Sequence, residues 1–386
     1  MPAPVKINNP KARNPRVLVA PLDWGLGHAT RCIPIIKELL NQKCEVIVAA
    51  VGAQKAILQA ELPSLTFMEL PGYEVSYDKN RALTILRLVG AIPKILIRIK
   101  REKAWLKRFS ASEQPDLVIS DNRYGLALPG IFCIFITHQL RIRTSFGRLA
   151  DGLLQRMNYR FIGHFSRCWV PDIESGDGLA GALSHPSALP GIPTKYIGWL
   201  SRFGKISQHY CGEGAPPDDP ELLIVLSGPE PQRSLLEATI IAQAGADAGS
   251  IVLVRGLPAG GGPMLASIPP DLTVYDHLPA ARLESLMRRA RLVVARSGYS
   301  TVMDLARLGK RALLIPTPGQ PEQEYLGPFL AGIGRAVCVK QSAFSLRESL
   351  AMARRDPEGM MMPEPEGGLE AEIRTVLALL PLGTQG

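Results

Sequence analysis

A short, wholly apolar run, then a glycine turn, then a helical stretch: this pattern most restricts what the chain can fold into, and it occurs in both halves. Arg16 to Ala20 (RVLVA) is the first such run, and a glycine-bearing turn follows it. From Ala29 to Leu40 the residues Ile33, Ile36, Leu39 and Leu40 recur at helical spacing. Cys44 to Val51 (CEVIVAAV) is the next continuous run. A half-exposed strand alternates apolar and polar residues. A strand with no polar face must be covered on both sides, as in a parallel sheet with helices above and below. Asp116 to Ser120 (DLVIS), Ile131 to Thr137 (IFCIFIT) and Cys168 to Val170 repeat the signature.

The order then restarts. Glu221 to Leu226 reads as a strand, Ser227–Gly228–Pro229 as a turn, Ser234 to Ala244 as a helix and Ser250 to Val254 as a strand. Leu272 to Tyr275, Leu292 to Ala295 and Ala312 to Ile315 follow as short strands separated by helical pattern. Between the halves, His185 to Pro220 holds six prolines and reads as the linker, with the hinge near residues 200–220. The expected architecture is α/β: two tandem Rossmann-like domains, 16–200 and 201–386, facing each other across an interdomain cleft. The length of 386 residues suits two cores, since single cores rarely grow past about 250–300 residues. The stretch from Arg354 to Gly368 reads as irregular, and Glu370 to Leu380 as a closing helix.

With 46% hydrophobic residues, global disorder is excluded. The charge balance, 44 − 35 = +9, favours anionic partners. Six scattered cysteines without a C-x-x-C pair point away from a zinc site or a disulfide framework, hence to a cytoplasmic location. Met1 to Arg16 has no apolar core of the kind a signal peptide carries. The longest uncharged run, Tyr124 to Leu140, has 17 residues and contains Pro129 and Gly130, short of the roughly 20 that a membrane-spanning helix needs.

The first turn reads Asp23-Trp24-Gly25-Leu26-Gly27-His28-Ala29-Thr30-Arg31. Gly25 and Gly27 allow a tight turn close to a ligand in the cleft of the first domain. The third glycine of the dinucleotide fingerprint is missing, and the next strand ends Ala49-Ala50-Val51 with no acidic residue for a ribose, so NAD is not expected. His28 at a helix start is a candidate general base, its pKa lowered by the helix terminus. Asp121, after DLVIS, is its candidate orienting carboxylate, and Asp23 is a rival by proximity. His138, after the strand IFCIFIT in the first domain, is a second cleft histidine. In the second half, Arg296-Ser297-Gly298 runs from a strand into a helix whose start suits a pyrophosphate. Asp304 lies where a carboxylate could accept two ribose hydroxyls. Gln323 and Glu324, in the loop TPGQPEQEY, could bond sugar hydroxyls.

RSGYSTVMDLARLGKRALLIPTPGQPEQEYL resembles the donor-site segment of glycosyltransferase family 28, a group that includes the bacterial GlcNAc transferase of peptidoglycan synthesis. The resemblance implies the GT-B fold and an inverting, metal-independent transfer of a hexose from a UDP-sugar to a hydroxyl. It places Ser297 and Gly298 at the phosphate-side turn and Asp304 where the family has Glu at the ribose. Gln323 and Glu324 stand at a Gln-Gln pair beside the donor sugar. Ser227 and Gly228 match the second glycine-rich loop, and Arg202 ends a segment similar to the family's interdomain stretch with its phosphate-binding Arg. WGLGHATR resembles the glycine-rich loop of the first domain. No cofactor is implied beyond the UDP-sugar as co-substrate. No D-x-D pair occurs, so no metal is expected; Arg202, Arg296 and helix N-termini are the candidates for neutralising the leaving UDP.

Lys79 to Arg108 carries ten Lys/Arg and one Glu, interleaved with apolar residues, and reads as a pair of amphipathic helices broken near Pro93. Such a segment suits an anionic lipid surface, hence peripheral contact at the inner face of the membrane and a lipid-linked acceptor. No nucleic-acid reading motif is present, so a nucleic-acid partner is not expected. A UDP-sugar epimerase or hydrolase of the same fold, and a non-catalytic nucleotide-sugar- or lipid-binding protein, stay open as alternatives.

Overall fold

The computed structural model describes residues 13–72, 92–142, 147–204, 219–245, 250–258, 268–355 and 368–380. The first sheet contains β1 (Arg16–Pro21), β2 (Glu45–Ala49), β3 (Thr66–Met68), β4 (Leu117–Asp121), β5 (Phe132–Ile136), β6 (Arg167–Val170) and β7 (Thr194–Tyr196). Their order is β3-β2-β1-β4-β5-β6-β7, and every pairing is parallel. Helices α1 (Leu26–Asn41), α2 (Gly52–Glu61), α3 (Ile92–Glu113) and α4 (Arg148–Ile162) supply the layers. The reason for the all-apolar runs is visible in β1. Val17 and Val19 join Ile33, Ile36 and Leu39 of α1 in one core layer. Leu18 and Ala20 join Leu106 and Phe109 of α3 in the opposite one. All four β1 residues are fully buried, each worth about 1.5–3 kcal/mol for the larger side chains.

The second sheet runs β10 (Leu272–Tyr275), β9 (Ile251–Val254), β8 (Leu222–Val225), β11 (Leu292–Ala295), β12 (Ala312–Leu314), β13 (Val337–Cys338), again all parallel. Its helices are α5 (Gln232–Gln243), α6 (Ala280–Arg289), α7 (Tyr299–Leu308), α8 (Pro321–Gly332), α9 (Leu346–Arg355) and α10 (Gly368–Leu379). The molecule is therefore two parallel-sheet α/β domains. In each sheet the strand order reverses at the centre, between β1 and β4 and between β8 and β11. That reversal opens a crevice at the carboxyl ends of the strands, where ligands of such sheets bind.

Several details differ from the sequence expectation. The linker region holds β7, a three-residue edge strand whose Thr-Lys-Tyr composition carries little apolar signal. Asp121 is the last residue of β4 and pairs in register with Pro21, rather than following the strand. Pro93 is the second residue of one long helix, α3, and does not separate two described helices; residues 79–91 lie outside the described residues. Most of the expected irregular stretch and of the hinge, 356–367 and 205–218, also lie outside them. The final helix belongs in space to the first domain. Arg167 Nη1 and Trp169 Nε1 donate to Glu372 Oε1 at 2.5 and 3.0 Å. A Cβ on Gly368 would stand 3.1 Å from the Ile197 carbonyl, so the returning chain lies directly on the outgoing one.

Candidate active site between the two domains

The site begins at the turn from β1 into α1. Gly25 caps α1 with φ +127°, a conformation that favours glycine. Gly27 is required for a second reason. Its carbonyl accepts a bond from Ser300 Oγ of the second domain at 2.8 Å, and a Cβ there would come within 2.9 Å of the same oxygen. One residue on, His28 turns back toward β4. Its Nδ1 lies 2.9 Å from Asp121 Oδ2 and 2.7 Å from Arg31 Nη2. Nε2 has no hydrogen-bond partner among the described residues, and the side chain keeps 16% of its surface open. Asp23, the rival partner, faces Arg123 at 3.8 Å instead.

Arg31 is the centre of this cluster. It is buried, one helical turn beyond His28 on the same face of α1. Its Nε donates to Asp121 Oδ2 at 2.8 Å and its Nη2 to Asp121 Oδ1, a bidentate grip. Its Nη1 donates to His138 Nδ1 at 3.1 Å. Burial alone would raise the Asp121 carboxyl; Arg31, with His28, reverses this and brings it down to about 2. His28 is held below its ordinary value by burial first and the Arg31 charge second, with Asp121 opposing. The expected direction holds, but burial and Arg31 lead among its causes.

His138 is fixed on three sides. Beyond Arg31, its Nε2 lies 3.0 Å from Glu322 Oε1, at the start of α8 in the second domain. Its ring stacks on Tyr299, centroids 4.1 Å apart and planes 9° apart. Tyr299 in turn donates to the Pro171 carbonyl at 2.7 Å. Gln139 Nε2 holds the other Glu322 oxygen. With both nitrogens and a face engaged, His138 fastens one domain to the other.

In the second domain, the Ser297 hydroxyl donates to the Gln323 carbonyl at 2.9 Å, joining the turn before α7 to α8. Gly298 caps α7. Asp304 is buried, its Oδ1 accepting from Ser201 Oγ at 2.6 Å and its Oδ2 lying 3.3 Å from Arg202 Nε. Burial raises its carboxyl against the pull of Arg202 and Ser201. Arg296 is buried beneath the turn, donating to the carbonyls of Gln232, Ile315 and Pro316 at 2.7, 3.3 and 3.4 Å. Its burial lowers the guanidinium to about 10. Gln323 Oε1 accepts from Thr317 N at 3.0 Å and Glu324 Oε1 from Gly319 N at 3.1 Å, so both side chains shape their own loop. Ser227 and Gly228 follow β8; a Cβ on Gly228 would lie 3.5 Å from Thr317 Oγ1, a buried hydroxyl with no partner among the described residues.

Sequence reasoning paired His28 with Asp121 but missed Arg31, Tyr299, Glu322 and Thr317. The spacing of three between His28 and Arg31 on a helix was the available signal for the first.

Residues 271–364 match the glycosyltransferase family 28 C-terminal domain. The UDP-N-acetylglucosamine--N-acetylmuramyl-(pentapeptide) pyrophosphoryl-undecaprenol N-acetylglucosamine transferase of Methylorubrum extorquens is 48% identical over 65 residues, 16% of this chain and 18% of that enzyme. The enzyme of the same name from Synechococcus elongatus is 24% identical over 342 residues, 86% of this chain and 85% of its own. Among solved structures, the glycotransferase of kitacinnamycin aligns with TM-score 0.63 at 16% identity, over 96% of this chain and all of that one. A spinosyn rhamnosyltransferase complexed with thymidine diphosphate aligns with TM-score 0.56 at 16% identity, over 95% and 97%.

Proposed function

From a chain that is glycosyltransferase family 28-like and has the GT-B fold, we propose an inverting, metal-independent hexosyltransferase. The donor is a UDP-hexose, UDP-GlcNAc or a close relative, and the acceptor is a hydroxyl on a lipid-linked molecule. The observation that carries this reading is the His28–Asp121 pair, with Nε2 unbonded among the described residues, at the junction with the family 28 domain. With its proton on Nδ1 facing Asp121, His28 takes the acceptor's proton at Nε2. The hydroxyl oxygen bonds to the anomeric carbon from the face opposite UDP, and the bond to the UDP oxygen breaks with its electron pair. Arg296 and the N-terminus of α7 supply positive potential for the leaving diphosphate. Arg202 and Asp304 form the side wall of the nucleotide site.

Calorimetric titration with UDP, on wild type and Asp304→Ala in parallel, tests the donor half of the proposal. Binding by wild type and loss in the variant are expected. If UDP, GDP, dTDP and CDP all fail to bind wild type, the transferase reading falls.

The acceptor half rests on α3. Glu102, Leu106 and Phe109 face inward, with Glu102 bonded to Arg123 at 2.8 Å. Leu96 and Ile97 are exposed at 38% and 51%, among the exposed Lys94, Lys100 and Arg101. Among the described residues no helix is long and apolar enough to cross a membrane. This face is proposed to rest on the anionic inner face of the membrane. Sedimentation with anionic vesicles should carry the protein down at low salt. Neutralising Lys100 and Arg101 together should weaken binding by about 2 kcal/mol, roughly 30-fold. Equal sedimentation of wild type and variant would remove the face from this role.

A further inference from the structure

Nδ1 of His28 has two neighbours that make opposite demands. Asp121 Oδ2, at 2.9 Å, can only accept a proton. Arg31 Nη2, at 2.7 Å, can only donate one. A neutral ring cannot satisfy both. A base that takes a proton at Nε2 needs Nδ1–H; a ring that accepts from Arg31 at Nδ1 carries its proton on Nε2 and has no lone pair for an acceptor hydroxyl.

The surroundings decide the contest. The guanidinium is planar and gripped at both ends, by Asp121 through Nε and Nη2 and by His138 through Nη1. It cannot rotate an N–H away from His28 as a hydroxyl could. Nδ1–H would therefore set two hydrogens head to head between nitrogens 2.7 Å apart. The Nε2–H form instead opposes a lone pair to a carboxylate already bonded twice by Arg31. The first clash is steric and short-ranged; the second is electrostatic and offset by the cation between the groups.

We propose that Arg31 is a positioning residue that sets the tautomer of His28, holding the ring in the Nε2–H form until its guanidinium leaves Nδ1. The proposal rests on His28 being the base, and makes the arrangement seen here the resting state of that base. The link reaches the donor domain, because Arg31 bonds His138 and His138 bonds Glu322. The charged groups facing His28 are Arg31, Asp121 and Glu322.

The test is nitrogen-15 NMR of histidine-labelled protein, with the His28 signal, one of six histidines, assigned by its loss in His28→Gln. Wild type should show a neutral ring protonated on Nε2, titrating below 6.5. In Arg31→Met, His28 should carry its proton on Nδ1 toward Asp121. Its midpoint should rise, because the Arg31 charge that lowers it is gone and the Asp121 carboxylate is no longer offset by a cation. An Nδ1–H ring in wild type overturns the proposal, and that measurement stands even if Arg31→Met fails to fold. An Arg31→Met protein with unchanged tautomer and midpoint overturns it equally. Neither readout needs turnover: a His28→Ala enzyme of full activity would sink the base role while leaving the tautomer result standing.

Discussion

Replacing His28 by Ala is expected to lower turnover about 10²–10⁴-fold while UDP affinity stays close to wild type, because general-base catalysis contributes in that range. The variant is a clean probe for a structural reason. Asp121 keeps its bidentate partner Arg31 when the ring is removed, so no buried charge is stranded. Asp121→Asn is a poorer probe of the chemistry. It would strip the counter-ion from a buried Arg31, at a cost of about 3–5 kcal/mol in stability, and mix folding with catalysis. Initial rates with donor and acceptor, beside a UDP titration of the same sample, give both quantities. Turnover within a few-fold of wild type would take the base role away from His28.

The largest effect on stability is expected at a residue outside the chemistry. Asp172 follows β6 and is fully buried. Its Oδ1 accepts from Ile173 N at 2.9 Å, Leu179 N at 3.0 Å and Trp199 Nε1 at 3.3 Å. Its Oδ2 accepts from Ala180 N at 3.0 Å and Ser184 Oγ at 2.8 Å. Asp172→Ala leaves four donors, the N–H groups of Ile173, Leu179 and Ala180 and the Trp199 indole, without an acceptor in a fully buried site, while Ser184 Oγ keeps the Gly181 carbonyl and His185 Nδ1 within reach. A loss of about 3–5 kcal/mol follows, read as a lower urea midpoint. The damage should reach the domain junction, because the segment Asp172 folds presents Ala182 N to Tyr325 of the second domain at 2.9 Å. Asp172→Asn keeps the size but turns one acceptor into a donor, and should fall between the two. A loss under about 1 kcal/mol for the alanine variant would mean that water takes over the orphaned donors.

The strands were legible in the sequence wherever a helix covers both faces, because burial then forces a continuous apolar run. β1, β5 and β11 are such cases. β7 and β13 were not, because edge strands of three and two residues carry too little apolar surface to stand out from turns. Within the site, the His28–Asp121 pair could be read because each sits at a strand or helix end that topology brings to one crevice. Glu322 could not: it meets His138 across 184 residues of sequence, through the docking of two domains. Nothing local in the sequence fixes that docking. Asp304 was read as a ribose ligand from its place in the motif. That its carboxylate is already held by Ser201 and Arg202 depends on how the interdomain segment packs on α7.

The way the chain returns to its first domain has a mechanical meaning. Polypeptide passes between the lobes twice, outward after β7 and back before α10, and Gly368 rests on Ile197 where the passages meet. Two covalent tethers through one spot act as a pivot. Any turn of one lobe against the other about that point would have to break the bonds between them, among them Glu322 to His138 at 3.0 Å. A side chain in place of Gly368 would press on the pivot itself, and its strain would be relieved only at the cost of such bonds.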